Sequence, residues 1–147
     1  MRLSQIMDND HILVEINPLN KRQLLQKLSE EAAKFSNIDE RIIFDALLER
    51  ENLGSTGFGN GTAVPHARIA KLDKTIILFA KLEEAIDFES VDNKPIDLAF
   101  LLLSPENNGA DHLTVLANIS RVLKNAPLSA LLRKENNKGK ILNLLND

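Results

Sequence analysis

Cysteine, tryptophan and tyrosine are all missing from this chain. Without cysteine there is no disulfide scaffold, thiolate zinc site, iron–sulfur cluster or cysteine nucleophile. The aromatic content is 4% and consists of phenylalanine alone, which leaves little for stacking nucleic-acid bases. A basic surplus is also lacking. Eighteen Lys and Arg stand against 21 Asp and Glu, a net charge of −3, so a phosphate backbone is not an expected partner. Long apolar runs do not occur. Stretches such as Ala99–Leu103 fall far short of the roughly 20 residues needed to cross a bilayer. The N-terminal ten residues have no apolar targeting core and carry acids early. A cytoplasmic protein with no membrane span is the expectation.

What is present suits a single packed domain over residues 1–147, with 44% hydrophobic residues to build a core. Ile12–Ile16 reads as a short strand broken by Asn17-Pro18. Asn20 then opens a helix over 21–35, with Gln23 at capping-box spacing. Leu24, Leu25, Leu28, Ala32 and Phe35 recur at helical intervals. Asp39 caps a second helix whose apolar stripe is Ile42, Ile43, Ala46 and Leu47, ending near Glu51–Asn52 with Gly54 beyond. Thr75–Leu82 reads as a buried strand, prolonged by Glu83–Phe88, and Asp92–Pro95 as a turn. Ile96–Leu103 is a second buried strand, ended by Ser104-Pro105. After a loop at Asn107–Gly109, a helix over 111–123 presents Leu113, Leu116, Ala117, Ser120 and Leu123 on one face. A short helix over 127–134 and an amphipathic turn around Ile141–Leu145 close the chain. This order predicts helices packed on a mixed sheet.

Chemistry concentrates between Arg50 and Arg68. Four of the six glycines, Gly54, Gly57, Gly59 and Gly61, fall in eight residues. A bare backbone of this kind brings amides close to an anion, and Ser55 and Thr56 add hydroxyl donors. A merely flexible loop is the plainer alternative. The sequel favours the anion. Pro65 holds Val64 extended and fixes the backbone that enters His66. A neutral imidazole is nucleophilic near pH 7. Beside phosphate-binding amides, its natural chemistry is phosphoryl acceptance on nitrogen.

Arg50 closes the second helix. Its spacing serves an anion-holding fork and a helix C-terminal cation equally well. His112 lies in the first turn of the helix over 111–123, as a surface histidine beside an Asp111 cap or as a second imidazole for the anion. His11 has no glycine loop beside it and reads as structural. No His-x-x-x-His or His-Glu-x-x-His spacing occurs, so neither a metal nor another cofactor is expected. Ser55 does not sit in Gly-x-Ser-x-Gly. Phe58, Val64 and Ile69 are candidates for an apolar rim around His66, although Val64 suits the core better. Arg68, Lys71 and Lys74 read as a local positive field for a phosphorylated donor or, as such runs more often are, as a solvated edge.

The run Gly54–Arg68, with Arg50-Glu51 before it, Val91–Asp97 before the second buried strand, and His112-Leu113-x-x-Leu116, resembles the fructose/mannitol-type enzyme IIA domains of the bacterial phosphotransferase system. The Leu-Gly-Ser-Thr-Gly-x-Gly-Asn-Gly form resembles their nitrogen-regulatory branch most. The resemblance implies an α/β fold, a mixed β-sheet flanked by helices on both sides. It implies a phosphocarrier enzyme that forms phosphohistidine at His66, through Nε2, from a phosphorylated HPr-like carrier. Arg50 and His112 become companions of His66, and Ser55, Thr56, Gly57, Gly59 and Gly61 the backbone that meets the phosphate or the donor. Absence of a following domain favours a regulator whose phosphorylation state is read by further target proteins. The alternatives are a sugar-specific IIA that passes phosphate to a separate IIB, and an interaction module that takes up none.

Overall fold

The computed structural model describes residues 2–107 and 109–146. Two 3-10 turns, Leu3–Gln5 and Asn9–His11, lead into β1 (Ile12–Ile16). Helices α1 (Lys21–Ser36) and α2 (Glu40–Asn52) follow. Then come β2 (Gly57–Gly59), β3 (Thr62–Ala63), β4 (His66–Ile69), β5 (Ile76–Ile86) and β6 (Ile96–Pro105). Helices α3 (Gly109–Lys124), α4 (Ala126–Lys134) and α5 (Lys138–Leu144) complete the described chain.

The six strands form one mixed sheet in the order β1-β5-β6-β3-β2, and β4 also pairs with β6. β5 and β6 are antiparallel, while β1 runs parallel to β5, and β3 and β4 run parallel to β6. Alternation along the two long strands feeds two cores. Ile76, Leu78, Leu101 and Leu103 face Leu24, Leu25 and Leu28 of α1 and Ile43 and Leu47 of α2. Ile77, Phe79, Phe100 and Leu102 face Val115, Ile119 and Leu123 of α3, with Leu132 and Ile141 beyond. The sheet thus lies between two helical layers, as the resemblance implied. Each such leucine or phenylalanine removed from water contributes about 1.5–3 kcal/mol, so a two-sided sheet anchors everything built at its rim.

The helix signals operate as chemistry dictates. Asn20 Oδ1 accepts from the Gln23 amide, and Gln23 returns a bond to the Leu19 amide, at 2.9 Å each. Asp39 accepts from the Arg41 amide at 2.8 Å. In α2, however, Phe44 takes the inward place expected of Ile42, which is 55% exposed. In α3 the stripe is displaced, except that Leu123 keeps its expected inward place. His112, Val115, Ile119 and Leu123 are buried, whereas Leu113 is 63% exposed. Gly109 already opens α3, two residues before the expected start, and Asn108 of the expected loop lies outside the described residues.

β3 and β4 are one path along β6, interrupted at Val64-Pro65. Thr62 stands opposite Leu98 and His66 opposite Leu102, so register is kept across the break. Proline has no amide hydrogen to give a ladder, yet the Pro65 carbonyl still accepts from the Leu102 amide at 3.0 Å. The chain therefore enters His66 held on both sides of a proline.

Candidate functional site

His66 is the first residue of β4, and β6 is the strand it pairs with. Its ring lines a cavity of about 500 Å³ with Ala67 and Arg68 of β4, Arg50 and Leu53 at the end of α2, and His112, Leu113 and Leu116 of α3. The sheet rim separates α2 on one face from α3 on the other, and the cavity opens between them.

His66 Nδ1 lies 2.7 Å from the Val64 carbonyl oxygen. A carbonyl oxygen only accepts, so Nδ1 carries the ring hydrogen and donates it. In the neutral ring Nε2 then holds a bare electron pair. Burial pushes the His66 pKa below its ordinary value. The Val64 bond opposes that shift and the Arg50 guanidinium adds to it. The ring is neutral at pH 7, with the pair on Nε2 available for attack.

The two rings of the cavity are neighbours. The His66 and His112 centroids are 5.7 Å apart, with the planes inclined by 50°. His112 is 5% exposed, and its Nδ1 lies 2.7 Å from Ser104 Oγ of β6. Burial, with the neighbouring His66 ring and the Arg68 guanidinium, drives its pKa down to about 4. Arg50 donates from Nη1 to the Gly54 carbonyl at 2.9 Å. A guanidinium has five N–H donors in a fixed fork, so this tie to the α2 terminus is compatible with anion binding.

The glycine segment is placed differently from its reading as a cradle. Gly57, Gly59 and Gly61 belong to a β2–β3 hairpin, and none of them lines the His66 cavity. A side chain at Gly57 would come within 2.8 Å of the Ser90 Cα, and at Gly61 within 2.7 Å of the Arg133 guanidinium. Gly59 and Gly61 also take positive φ, 107° and 80°. Ser55 Oγ donates to the Phe88 carbonyl and accepts from the Gly57 amide, at 3.0 Å each. Thr56 gives its hydroxyl to Glu51 and its amide as well, the latter at 3.0 Å. These contacts fasten the hairpin to α2 and to the segment after β5. The glycines are needed here for close packing and a turn.

Of the three candidates for an apolar rim, Val64 takes the core place that suited it better. Val64 and Ile69 are buried at 3% exposure in opposite cores, and Phe58 packs with Lys124 over its ring. Leu53 and Leu113 form the rim instead, at 82% and 63% exposure. Of the expected basic trio, Arg68 lines the cavity, while Lys71 occupies a turn and Lys74 lines a separate cavity. His11 stacks on Phe35 at 4.2 Å, its Nδ1 2.9 Å from Asp8, with no part in the His66 cavity. Sequence reasoning missed Ser104. A serine at the end of an apolar strand, after Leu101-Leu102-Leu103, is itself a signal, because a buried hydroxyl needs a partner.

Among the described residues no helix is long and apolar enough to cross a membrane. Comparison with known proteins places the chain further. The nitrogen regulatory protein of Bradyrhizobium diazoefficiens is 44% identical over 133 residues, covering 90% of this chain and 87% of that one. The fructose-specific EIIA component of the phosphotransferase system of Haloferax volcanii is 34% identical over 144 residues, covering 97% of this chain and 94% of the other. The crystal structure of nitrogen regulatory protein IIA-Ntr from Neisseria meningitidis superposes with a TM-score of 0.94 at 28% identity, over 98% of this chain and 99% of that one. The family model described as phosphoenolpyruvate-dependent sugar phosphotransferase system, EIIA 2, matches residues 5–147. With its fold, its histidine at the sheet rim and these matches taken together, the chain belongs to the EIIA 2 family of the phosphoenolpyruvate-dependent sugar phosphotransferase system.

Proposed function

We propose that His66 accepts a phosphoryl group at Nε2 from a phosphorylated HPr-like carrier, and that the resulting phosphorylation state regulates target proteins in the cytoplasm. One observation carries the reading: the Val64 carbonyl takes the Nδ1 hydrogen, so a bare Nε2 belongs to a histidine that lines an open cavity. The step is an in-line exchange of P–N bonds. The Nε2 pair attacks phosphorus, the carrier's P–N bond breaks, and the departing nitrogen keeps that electron pair. No proton has to leave His66. Arg50 and His112 meet the phosphoryl oxygens, where charge must be matched as the group passes. Leu53 and Leu113 offer the carrier an apolar rim. The group adds about −1.5 to −2 charges at neutral pH, enough to change which surface docks there.

The regulatory reading rests on likeness to nitrogen regulatory proteins. Likeness to a fructose-specific EIIA component favours a second one, in which the group passes to a separate IIB protein. Incubation with enzyme I, an HPr-type carrier and labelled phosphoenolpyruvate tests the common step. We expect one acid-labile phosphate per chain, lost in His66→Ala while the circular dichroism spectrum is kept. Full labelling of His66→Ala would place the acceptor elsewhere. Onward transfer to a purified IIB protein would favour the sugar-specific reading over the regulator.

A further inference from the structure

Ser104 has no part in the readings given so far. It ends the buried run of β6, opposite Arg68 of β4, and is 1% exposed. Alternation along β6 turns it to the same face as Leu98, Phe100 and Leu102, beneath α3. Its hydroxyl meets His112 Nδ1 at 2.7 Å.

The hydroxyl has one hydrogen to place, and His112 Nδ1 is its partner among the described residues. A hydrogen on Nδ1 would leave the buried serine hydrogen without an acceptor, which costs more than the bond returns. Ser104 therefore donates and Nδ1 accepts. A neutral imidazole that accepts at Nδ1 carries its own hydrogen at Nε2. With Nδ1 held against the sheet, Nε2 is the nitrogen left for the cavity that His112 shares with His66.

The geometry points to Ser104 as a positioning residue that fixes His112 as an Nε2–H donor beside the acceptor ring. The two histidines then hold opposite tautomers, each set by one oxygen behind it. The Val64 carbonyl makes His66 a nucleophile, and the Ser104 hydroxyl makes His112 a hydrogen-bond donor to the group in transit. In the opposite tautomer His112 would offer an electron pair to phosphoryl oxygens, and repel them. Burial keeps the His112 ring neutral at pH 7, so the tautomer and not a positive charge decides what it offers. The assignment rests on the phosphoryl-transfer reading for its purpose, and on the Ser104–His112 bond for its geometry.

Nitrogen-15 spectra of the histidine rings at pH 7.5 test it in the whole chain. We expect His66 to show a protonated Nδ1 and a bare Nε2, and His112 the reverse. In Ser104→Ala, the His112 signals move toward a mixture of tautomers while those of His66 stay. Phosphoryl uptake from the phosphorylated carrier falls about five- to tenfold, the weight of one ordinary hydrogen bond. Ser104→Thr keeps the hydroxyl and restores both signals and rate. A protonated Nδ1 on His112 in the wild-type chain would overturn the assignment. So would an unchanged uptake rate in a folded Ser104→Ala chain. A wild-type chain with the expected tautomers but no phosphate uptake would defeat the transfer reading and still support the serine–histidine bond.

Discussion

His66 Nδ1 and the carbonyl oxygen of Val64, two residues earlier, lie 2.7 Å apart across Pro65. The bond is local, and it decides which ring nitrogen can react. It leaves the pKa of His66 below its ordinary value of 6.5, because burial outweighs the help that the carbonyl gives the charged ring. Protonation would occupy Nε2 and stop attack. The fall of phosphoryl uptake with falling pH should therefore have its midpoint below 6.5. Initial rates across a pH series check it, and a midpoint above 6.5 would contradict the burial argument.

Stability should follow pH through His112. Its folded pKa of about 4 lies below the ordinary 6.5. Between those values the unfolded chain binds more protons, so stability rises with pH. The contribution is complete above pH 6.5 and is lost as pH falls toward 4. At about 1.4 kcal/mol per unit, the loss is roughly 3 kcal/mol. Urea unfolding at pH 7.5 and 4.5 measures it, and His112→Gln should flatten the difference by most of that amount.

Arg50 combines a tie to the Gly54 carbonyl at 2.9 Å with a place in the His66 cavity. Losing one donor that meets developing charge costs about 100-fold in rate. Arg50→Ala should slow uptake to that degree, at a stability cost of only about 1 kcal/mol from the helix terminus. Arg50→Lys should recover the stability and little of the rate, since an ammonium lacks the planar fork. A wild-type rate in Arg50→Ala would leave the residue with its helix-terminal role alone.

Glu51 is the most enclosed of the paired carboxylates, its side chain 3% exposed and 2.9 Å from Lys21 Nζ. It also holds the amide and hydroxyl of Thr56. Lys21 in turn lies over the Phe88 ring at 4.6 Å. Removing one partner of a buried pair leaves an uncompensated charge and costs about 3–5 kcal/mol. Glu51→Ala should lose that much by urea denaturation, shifting the midpoint with little change in slope. A loss below 1 kcal/mol would show that water reaches Lys21 readily.

Much of the architecture was readable from residue order. Ile12–Ile16 is a strand at the expected residues, and α1 and α2 begin directly after Asn20 and Asp39, whose side-chain oxygens cap them. The strands β5 and β6 follow from apolar runs too long for a turn and too short for a membrane. Two features were not readable. In α3, Leu113 with Leu116 and His112 with Val115 form overlapping stripes, and hydropathy favours the leucines. The sheet offered Ser104 to His112, so the histidine went inward and Leu113 was left at the cavity rim. The glycine segment has low strand propensity. It becomes a hairpin because β6 supplies a partner for β3 and Arg133 closes over the turn, with a bond to the Asn60 carbonyl at 2.7 Å.

The amino-acid order by itself determined where an imidazole would be held by a proline, because Val64, Pro65 and His66 interact over two residues and need no distant help. It also determined the elements, because strand and helix periods are local. Only the tertiary structure decided what stands around that ring. Arg50, Ser104 and His112 come from separate elements, and they converge because β4 lies at a sheet rim between α2 and α3. The tautomer of His112, the burial of both rings and their shared cavity are properties of that convergence, which no single stretch of chain contains.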